Sequence, residues 1–336
     1  MNLPLLCLRP LIDERAQWCA LRLESETPLA VETVAQLFEC YDLATALSGL
    51  RCIVDLADPL AESVTTLPLR HLELRLGELP DAAEPQLARL TAAGAHLVAA
   101  TPDTPARMGV APWQPLTYAS ARDIDETPRS DGANRASLLR LLALVSSDAE
   151  THAIEQAIKR DPELSFKLLK LVNSVALGGG KITTFAQAIA LLGRRQLQRW
   201  LQLLLYARSA ADGPISPLLP LAALRATWME ELSRQRGDHH DLAEQAYMVG
   251  MFSLLDRLFS TPLATLLEPL NLADEVLAAL LSGKGPLGPM LAAIVGAEHG
   301  RLPPDIPLDR LGISAEAWIS AQIAAVRWAI AVTREL

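Results

Sequence analysis

The chain has 336 residues, of which 50% are hydrophobic and 21% charged, and a formal net charge of −9. That length and apolar content allow two domains with buried cores. The acidic balance excludes general nucleic-acid or anionic-membrane binding by the chain as a whole, because both need an excess of Lys and Arg.

Up to about Ala100, short apolar runs alternate with helical patterns. Apolar runs fall at Leu5 to Leu8, Cys19 to Leu23, Cys52 to Leu56, Leu69 to Leu76 and His96 to Ala99, with helices expected near Val31 to Leu47 and Glu84 to Ala93. This order predicts an α/β layer or partial barrel with largely parallel strands. All four cysteines (Cys7, Cys19, Cys40, Cys52) lie in this part without a Cys-x-x-Cys pair, so reduced, buried thiols are expected and no zinc site. Between Pro102 and Arg135 five prolines and polar clusters break regular structure, which suits a connection between domains.

From Ser137 onward the period is helical. Leu138, Leu141, Leu142 and Val145 form one face, and Leu197, Trp200, Leu201, Leu204 and Leu205 another; faces this apolar must pack on one another, as in a helical bundle. Further helices are expected over Leu242 to Phe259, Pro262 to Leu270, Ala273 to Leu281, Leu287 to Gly296 and Ser314 to Thr333. The stretch from Asp161 to Gly193 carries the most local instruction. Asp161 is placed to N-cap a helix, with Pro162 at its first position. Gly178 to Gly180 end that helix, Thr184 and Gln187 have capping-box spacing for the next, and Gly193 suits a residue with positive φ at its end. No apolar run reaches the length of a membrane span, and the opening MNLPLLCLRP has no basic leader, so cytoplasmic localisation is expected.

Asp161-Pro162, Leu168-Leu169, Asn173-Ser174, the glycine loop and Ala188 to Gly193 together resemble the opening of an HDOD domain, a bacterial all-helical regulatory module related to HD-type phosphohydrolases. Asp161, Pro162, Asn173, Ser174 and Gly193 are its structural signature. Arg9 to Asp13 followed by Cys19-Ala20-Leu21 resembles the entry of an EAL domain, the barrel that hydrolyses cyclic di-GMP, and EAL domains occur fused ahead of HDOD domains. The resemblances imply a degenerate, shortened EAL-like α/β domain over residues 1–118, a linker over 119–135 and an all-α HDOD helical-bundle domain over 136–336.

The catalytic ligands of both families match poorly. EAL chemistry needs carboxylates and an Asn on divalent metals that activate a water. Cys19 stands where the motif Glu belongs. Glu73 matches a metal-ligand Glu and Asp55 the family's Asn, but an exposed strand-end carboxylate is the plainer account of the first and a helix cap of the second. Where HD enzymes place His-Asp after a glycine, the chain reads Gly250-Met251-Phe252-Ser253, and Asp241 in His239-His240-Asp241 suits a helix cap. Gly178-Gly179-Gly180-Lys181 lacks the first glycine and the Ser or Thr of a phosphate loop. No catalytic residue, metal ligand or cofactor is therefore assigned.

The implied function is a non-catalytic signal-transduction protein, not an enzyme, that acts on other signalling proteins as partners. The alternative is a non-hydrolytic sensor of a cyclic di-GMP-type nucleotide, and third comes a residual phosphodiesterase. Membrane insertion and a nucleic-acid partner are not expected, and self-association is left open. From Lys159 to Arg208 nine basic residues face two acidic ones, which leaves −16 for the remainder. Arg194, Arg195 and Arg199 in that island are the candidate contacts for a partner or an anion, against the alternative of a solvated helix face.

Overall fold

The computed structural model describes residues 4–13, 17–101, 110–111, 117–118, 132–147, 149–159, 168, 185–206, 216, 218–270, 272–299 and 307–335. The first part is an α/β layer. Its strands are β1 (Cys7–Ile12), β2 (Trp18–Glu24), β3 (Arg51–Val54), β4 (Leu72–Leu76), β5 (His96–Ala99), β6 (Val110–Ala111) and β7 (Thr117–Tyr118), and its helices are α1 (Val31–Cys40), α2 (Leu43–Leu47) and α3 (Glu84–Ala92). They form one sheet of order β6-β5-β4-β3-β2-β1-β7. The run from β2 to β6 is parallel, while β1 pairs antiparallel with both β2 and β7. Among the described residues the sheet is open, so they form a layer and not a closed barrel.

Side chains alternate across a strand, and the parallel registers stack equivalent positions. Leu21, Leu23, Cys52, Val54, Leu72, Leu74 and Leu76 are buried and share a core with Val34 and Leu37 of α1 and Leu87 and Leu90 of α3. Burying each such leucine contributes about 2 kcal/mol. The intervening positions of β2 and β4 carry Arg22, Glu24, Glu73 and Arg75, all only partly buried.

One helix expected over Val31 to Leu47 is two. Asp42 lies between them with φ 54 and ψ 41, a left-handed conformation that a right-handed helix cannot pass through. Thr45 Oγ1 donates to Asp42 Oδ1 at 2.8 Å.

The helical part comprises α4 (Gly132–Ser146), α5 (Thr151–Lys159), α6 (Phe185–Tyr206), α7 (Leu218–Arg236), α8 (His240–Phe252), α9 (Leu255–Phe259), α10 (Leu263–Leu267), α11 (Asp274–Ser282), α12 (Gly288–Glu298) and α13 (Ala315–Glu335). α6 breaks at Gly193, whose φ of 72 and ψ of 159 belong to a region essentially confined to glycine. α7 is buried nearly all round and packs against α8 and α13. A Cβ on Gly250 would lie 2.4 Å from the Ala226 nitrogen, so only glycine lets α8 approach α7 this closely. The expected cap of α8 is corrected: His239 is the N-cap, its Nδ1 accepting from Leu242 N at 3.1 Å, and Asp241 sits in the first turn.

α13 joins the two parts. It lies against α7, β1 and α2. Trp318 stacks on Trp228 with ring centroids 4.5 Å apart, and its Nε1 donates to the Leu6 carbonyl at 3.0 Å. Gln322 Nε2 donates to Leu8 O at 3.3 Å. Buried residues of the sheet and the helices form one continuous cluster. No helix among the described residues is long and apolar enough to cross a membrane.

Candidate functional site

The carboxyl ends of β2, β3 and β4 meet at a cleft of about 660 Å³, within the size range of small-molecule sites. Arg9 from β1, Arg22 and Glu24 from β2, Asp55 just after β3 and Arg75 from β4 line it, and His299 at the end of α12 reaches it from the helical part. Open parallel sheets bind ligands outside the carboxyl ends of their strands, where loops leave a crevice.

These charged side chains form a ladder of alternating sign. Arg9 Nη1 donates to both carboxylate oxygens of Glu24, at 3.0 and 2.9 Å. Arg22 Nε lies 3.5 Å from Glu24 Oε1, and Arg22 Nη2 donates to Asp55 Oδ2 at 3.0 Å. Arg75 Nη1 donates to that same oxygen at 3.2 Å, while its Nη2 donates to Ala100 O at 2.8 Å. Glu26 and Glu78 also line the cleft, so its walls mix both signs. Asp55 therefore bridges two guanidinium groups and does not cap the next helix; Asp58 Oδ1 accepts from Leu60 N at 3.3 Å within the turn that follows, and the short helix starting at Glu62 has no side-chain cap.

Glu73 is the second residue of β4, half-buried and paired in register with Ile53 and His96. Burial pushes its carboxyl above the ordinary value, against a smaller downward pull from Arg51 and His96. Burial also raises the Cys19 thiol, with the charges of Asp13 and Glu73 adding to it. Cys19 Sγ lies 3.4 Å from the Leu11 carbonyl. Cys7 and Cys52 are buried, and burial pushes both thiols up to about 12; Cys19 and Cys40 are exposed, contrary to the expectation of buried thiols.

In the Gly250 to Ser253 stretch, where the resemblance implied a missing His-Asp pair, Ser253 Oγ accepts from Arg225 Nη1 at 3.0 Å and donates to Gly250 O at 2.7 Å. Arg225 in turn donates from Nε and Nη2 to the two Glu298 oxygens at 2.7 and 2.6 Å. Burial opposes the Arg225 charge, yet the Glu298 carboxylate outweighs it and holds the guanidinium pKa above its ordinary value. Among the described residues, no three His, Cys, Asp or Glu side chains converge on one point as a metal site would require.

Of the signature residues, Asp161, Pro162, Asn173 and Ser174 lie outside the described residues, as does the Gly178 to Lys181 run. Arg194, Arg195 and Arg199 follow Gly193 on α6 and are not part of the cleft. Arg199 is tied to Glu230 and Glu244 and lies 4.4 Å over the Tyr247 ring. Arg195, with a side chain 54% exposed, reaches His240 at 2.5 Å and Glu244 at 3.7 Å. The ladder was not expected from the sequence, although charged residues at alternate positions of apolar strands, as in Arg22, Glu24, Glu73 and Arg75, were a signal for it.

Residues 136–300 match the family model described as the HDOD domain, so the helical part carries an HDOD domain. The chain is 35% identical over 141 residues to the cyclic di-GMP phosphodiesterase CdgJ of Vibrio cholerae serotype O1 (strain ATCC 39315 / El Tor Inaba N16961), a match covering 41% of this chain and 32% of that protein. It is 31% identical over 144 residues to the uncharacterized protein YuxH of Bacillus subtilis (strain 168), covering 42% of this chain and 35% of that protein. The chain thus spans about a third of the length of the curated relatives it matches. The crystal structure of the MmoQ response regulator from Methylococcus capsulatus str. Bath covers 59% of this chain and 98% of its own at 18% identity and a TM-score of 0.26, too low a likeness to carry any argument.

The match to a protein named for an enzymatic activity overturns the expectation of a non-catalytic chain that is no enzyme. That expectation counted missing motif ligands one by one. Over about a third of a relative's length, such a count does not decide whether activity is present.

Proposed function

We propose that the chain acts in bacterial, cytoplasmic cyclic di-GMP signalling and takes the dinucleotide at the arginine-lined cleft. The observation that carries this reading is the match to a relative named as a cyclic di-GMP phosphodiesterase. The cleft supports it: about 660 Å³ admits a nucleotide-sized ligand, and guanidinium groups pair with phosphate oxygens through charged hydrogen bonds. The layer of β1 to β7 is, in this reading, a shortened and degenerate EAL-like domain ahead of the HDOD domain.

The side chains present do not fit a divalent-metal centre of the EAL kind. Asp55 lies between two arginines, Cys19 replaces a carboxylate, and no third ligand joins Glu73 among the described residues. No hydrolytic step through a metal is derived. Titration calorimetry of the full chain with cyclic di-GMP tests the reading, with release of linear dinucleotide followed in the same samples with Mg²⁺ or Mn²⁺. Saturable binding that weakens in Arg22→Ala and Arg75→Ala is expected. Neither heat nor turnover at millimolar nucleotide would sink it.

A second surface belongs to the same proposal. Other signalling proteins dock on α6 through Arg194 and Arg195, since the Arg195 side chain is 54% exposed, whereas Arg199, at 22%, is engaged inward with Glu230 and Glu244. Charge reversal of Arg194 and Arg195 that left partner capture intact would remove this placement.

A further inference from the structure

We propose that Asp55 is a built-in competitor for a phosphodiester anion at the Arg22 and Arg75 guanidinium groups, so that the protein's own carboxylate restrains ligand binding in the cleft. This rests on the reading above for the natural ligand, while the anion chemistry is tested separately below. One oxygen, Asp55 Oδ2, accepts from both arginines at 3.0 and 3.2 Å, the arrangement a phosphate oxygen adopts between two guanidinium groups.

Asp55 is the ladder carboxylate built to leave. Its side chain is 37% exposed, against 18% for Arg22 and 17% for Arg75, so of the three it is the least held by surrounding atoms. Glu24 is only 16% exposed and gripped at both oxygens by Arg9. The Asp55 backbone is fixed independently, because its carbonyl accepts from Leu29 N at 2.9 Å and the neighbouring Leu56 bridges Leu29. Departure of the carboxylate therefore requires only side-chain rotation.

The two arginines keep their places without it. Arg75 still donates to Ala100 O, and Arg22 still faces Glu24. Binding to a site that its own anion fills is weakened by the fraction of time the site is filled. With Glu26 and Glu78 also on the walls, the unliganded cleft carries enough negative charge that an incoming anion gains little until Asp55 gives way.

The experiment is titration calorimetry on the full chain with two probes, cyclic di-GMP and inorganic pyrophosphate, using wild type, Asp55→Asn, Asp55→Glu and the double variant Asp55→Asn/Arg22→Met, with thermal melts to verify folding. Asp55→Asn is expected to tighten both probes about tenfold, Asp55→Glu to stay near wild type, and the double variant to lose the gain. Tightening for pyrophosphate without any cyclic di-GMP binding would uphold the competitor and overturn the nucleotide reading. Cyclic di-GMP binding that Asp55→Asn leaves unchanged or weakens would overturn the competitor and uphold the nucleotide reading. Absence of binding by either probe to every folded variant would overturn both.

Discussion

Arg225 and Glu298, 73 positions apart in sequence, are joined by two hydrogen bonds of 2.7 and 2.6 Å with side chains only 5% and 1% exposed. The pair ties α7 to α12, and Ser253 occupies a third donor site on the guanidinium. A buried ion pair owes its geometry to both partners, because either charge alone is stranded in a medium that solvates it poorly.

Removing one partner is accordingly costly. Glu298→Gln should lower the stability of the folded chain by about 3–5 kcal/mol in urea unfolding, since it leaves Arg225 charged and buried. Arg225→Met combined with Glu298→Met should recover most of that loss, because no charge is then stranded. Equal losses in the single and double variants would contradict this account.

The contact between Trp318 and Leu6 makes a different prediction. Trp318→Phe keeps an aromatic ring against Trp228 but leaves the Leu6 carbonyl, at the entry to β1, without its buried donor. A loss of about 1–3 kcal/mol is expected. Because sheet and helices share one core, fluorescence and far-ultraviolet circular dichroism should report a single shifted transition. Two separated transitions would show that the parts unfold independently.

Glu73 supplies a pH signature. Burial raises its folded-state pKa above the ordinary 4.5, so the folded protein holds this proton more tightly than the unfolded chain. Stability from this group is therefore present below pH 4.5 and is lost as pH rises through the higher folded-state value. Glu73→Gln should melt above wild type at neutral pH and approach it in acid. A gain that grows toward acid would reverse the assignment.

Much of the fold was legible because the elements obey local rules. His96 to Ala99 and the helices from Glu84 and Ala273 were expected within a residue of where they lie, and the helix from Ser314 within two, each bounded by a change of period or a breaking residue. The left-handed turn at Asp42 was not legible, because an apolar helical period runs on through it while an aspartate accepts positive φ without any sequence mark. The two-residue strands β6 and β7 sit in the proline-rich stretch and are set by pairing with β5 and β1, a tertiary effect that local pattern does not carry.

The cleft was legible only in pieces. Arg9, Arg22, Asp55 and Arg75 come from four separate stretches, and nothing in the spacing from 9 to 75 announces that one oxygen of Asp55 serves two of them. The resemblance directed attention to Asp55 and Glu73 as ligands and to Cys19 in place of one, whereas in the structure Asp55 is bonded to two arginines. The Arg194 to Arg199 group drew notice through its charge density, but charge density does not distinguish an arginine turned toward Glu230 from one turned to solvent.

The bond from Trp318 to Leu6 also sets an order of events during synthesis. β1 leaves the ribosome well before α13, because the side chains that satisfy the carbonyls of Leu6 and Leu8 are translated 312 and 314 residues later. Until α13 emerges, the face of β1 it covers has no cover from that helix. While those intervening residues are made, the nascent sheet must stay unassociated with other chains, a demand that falls on chaperones and elongation speed more than on the finished protein.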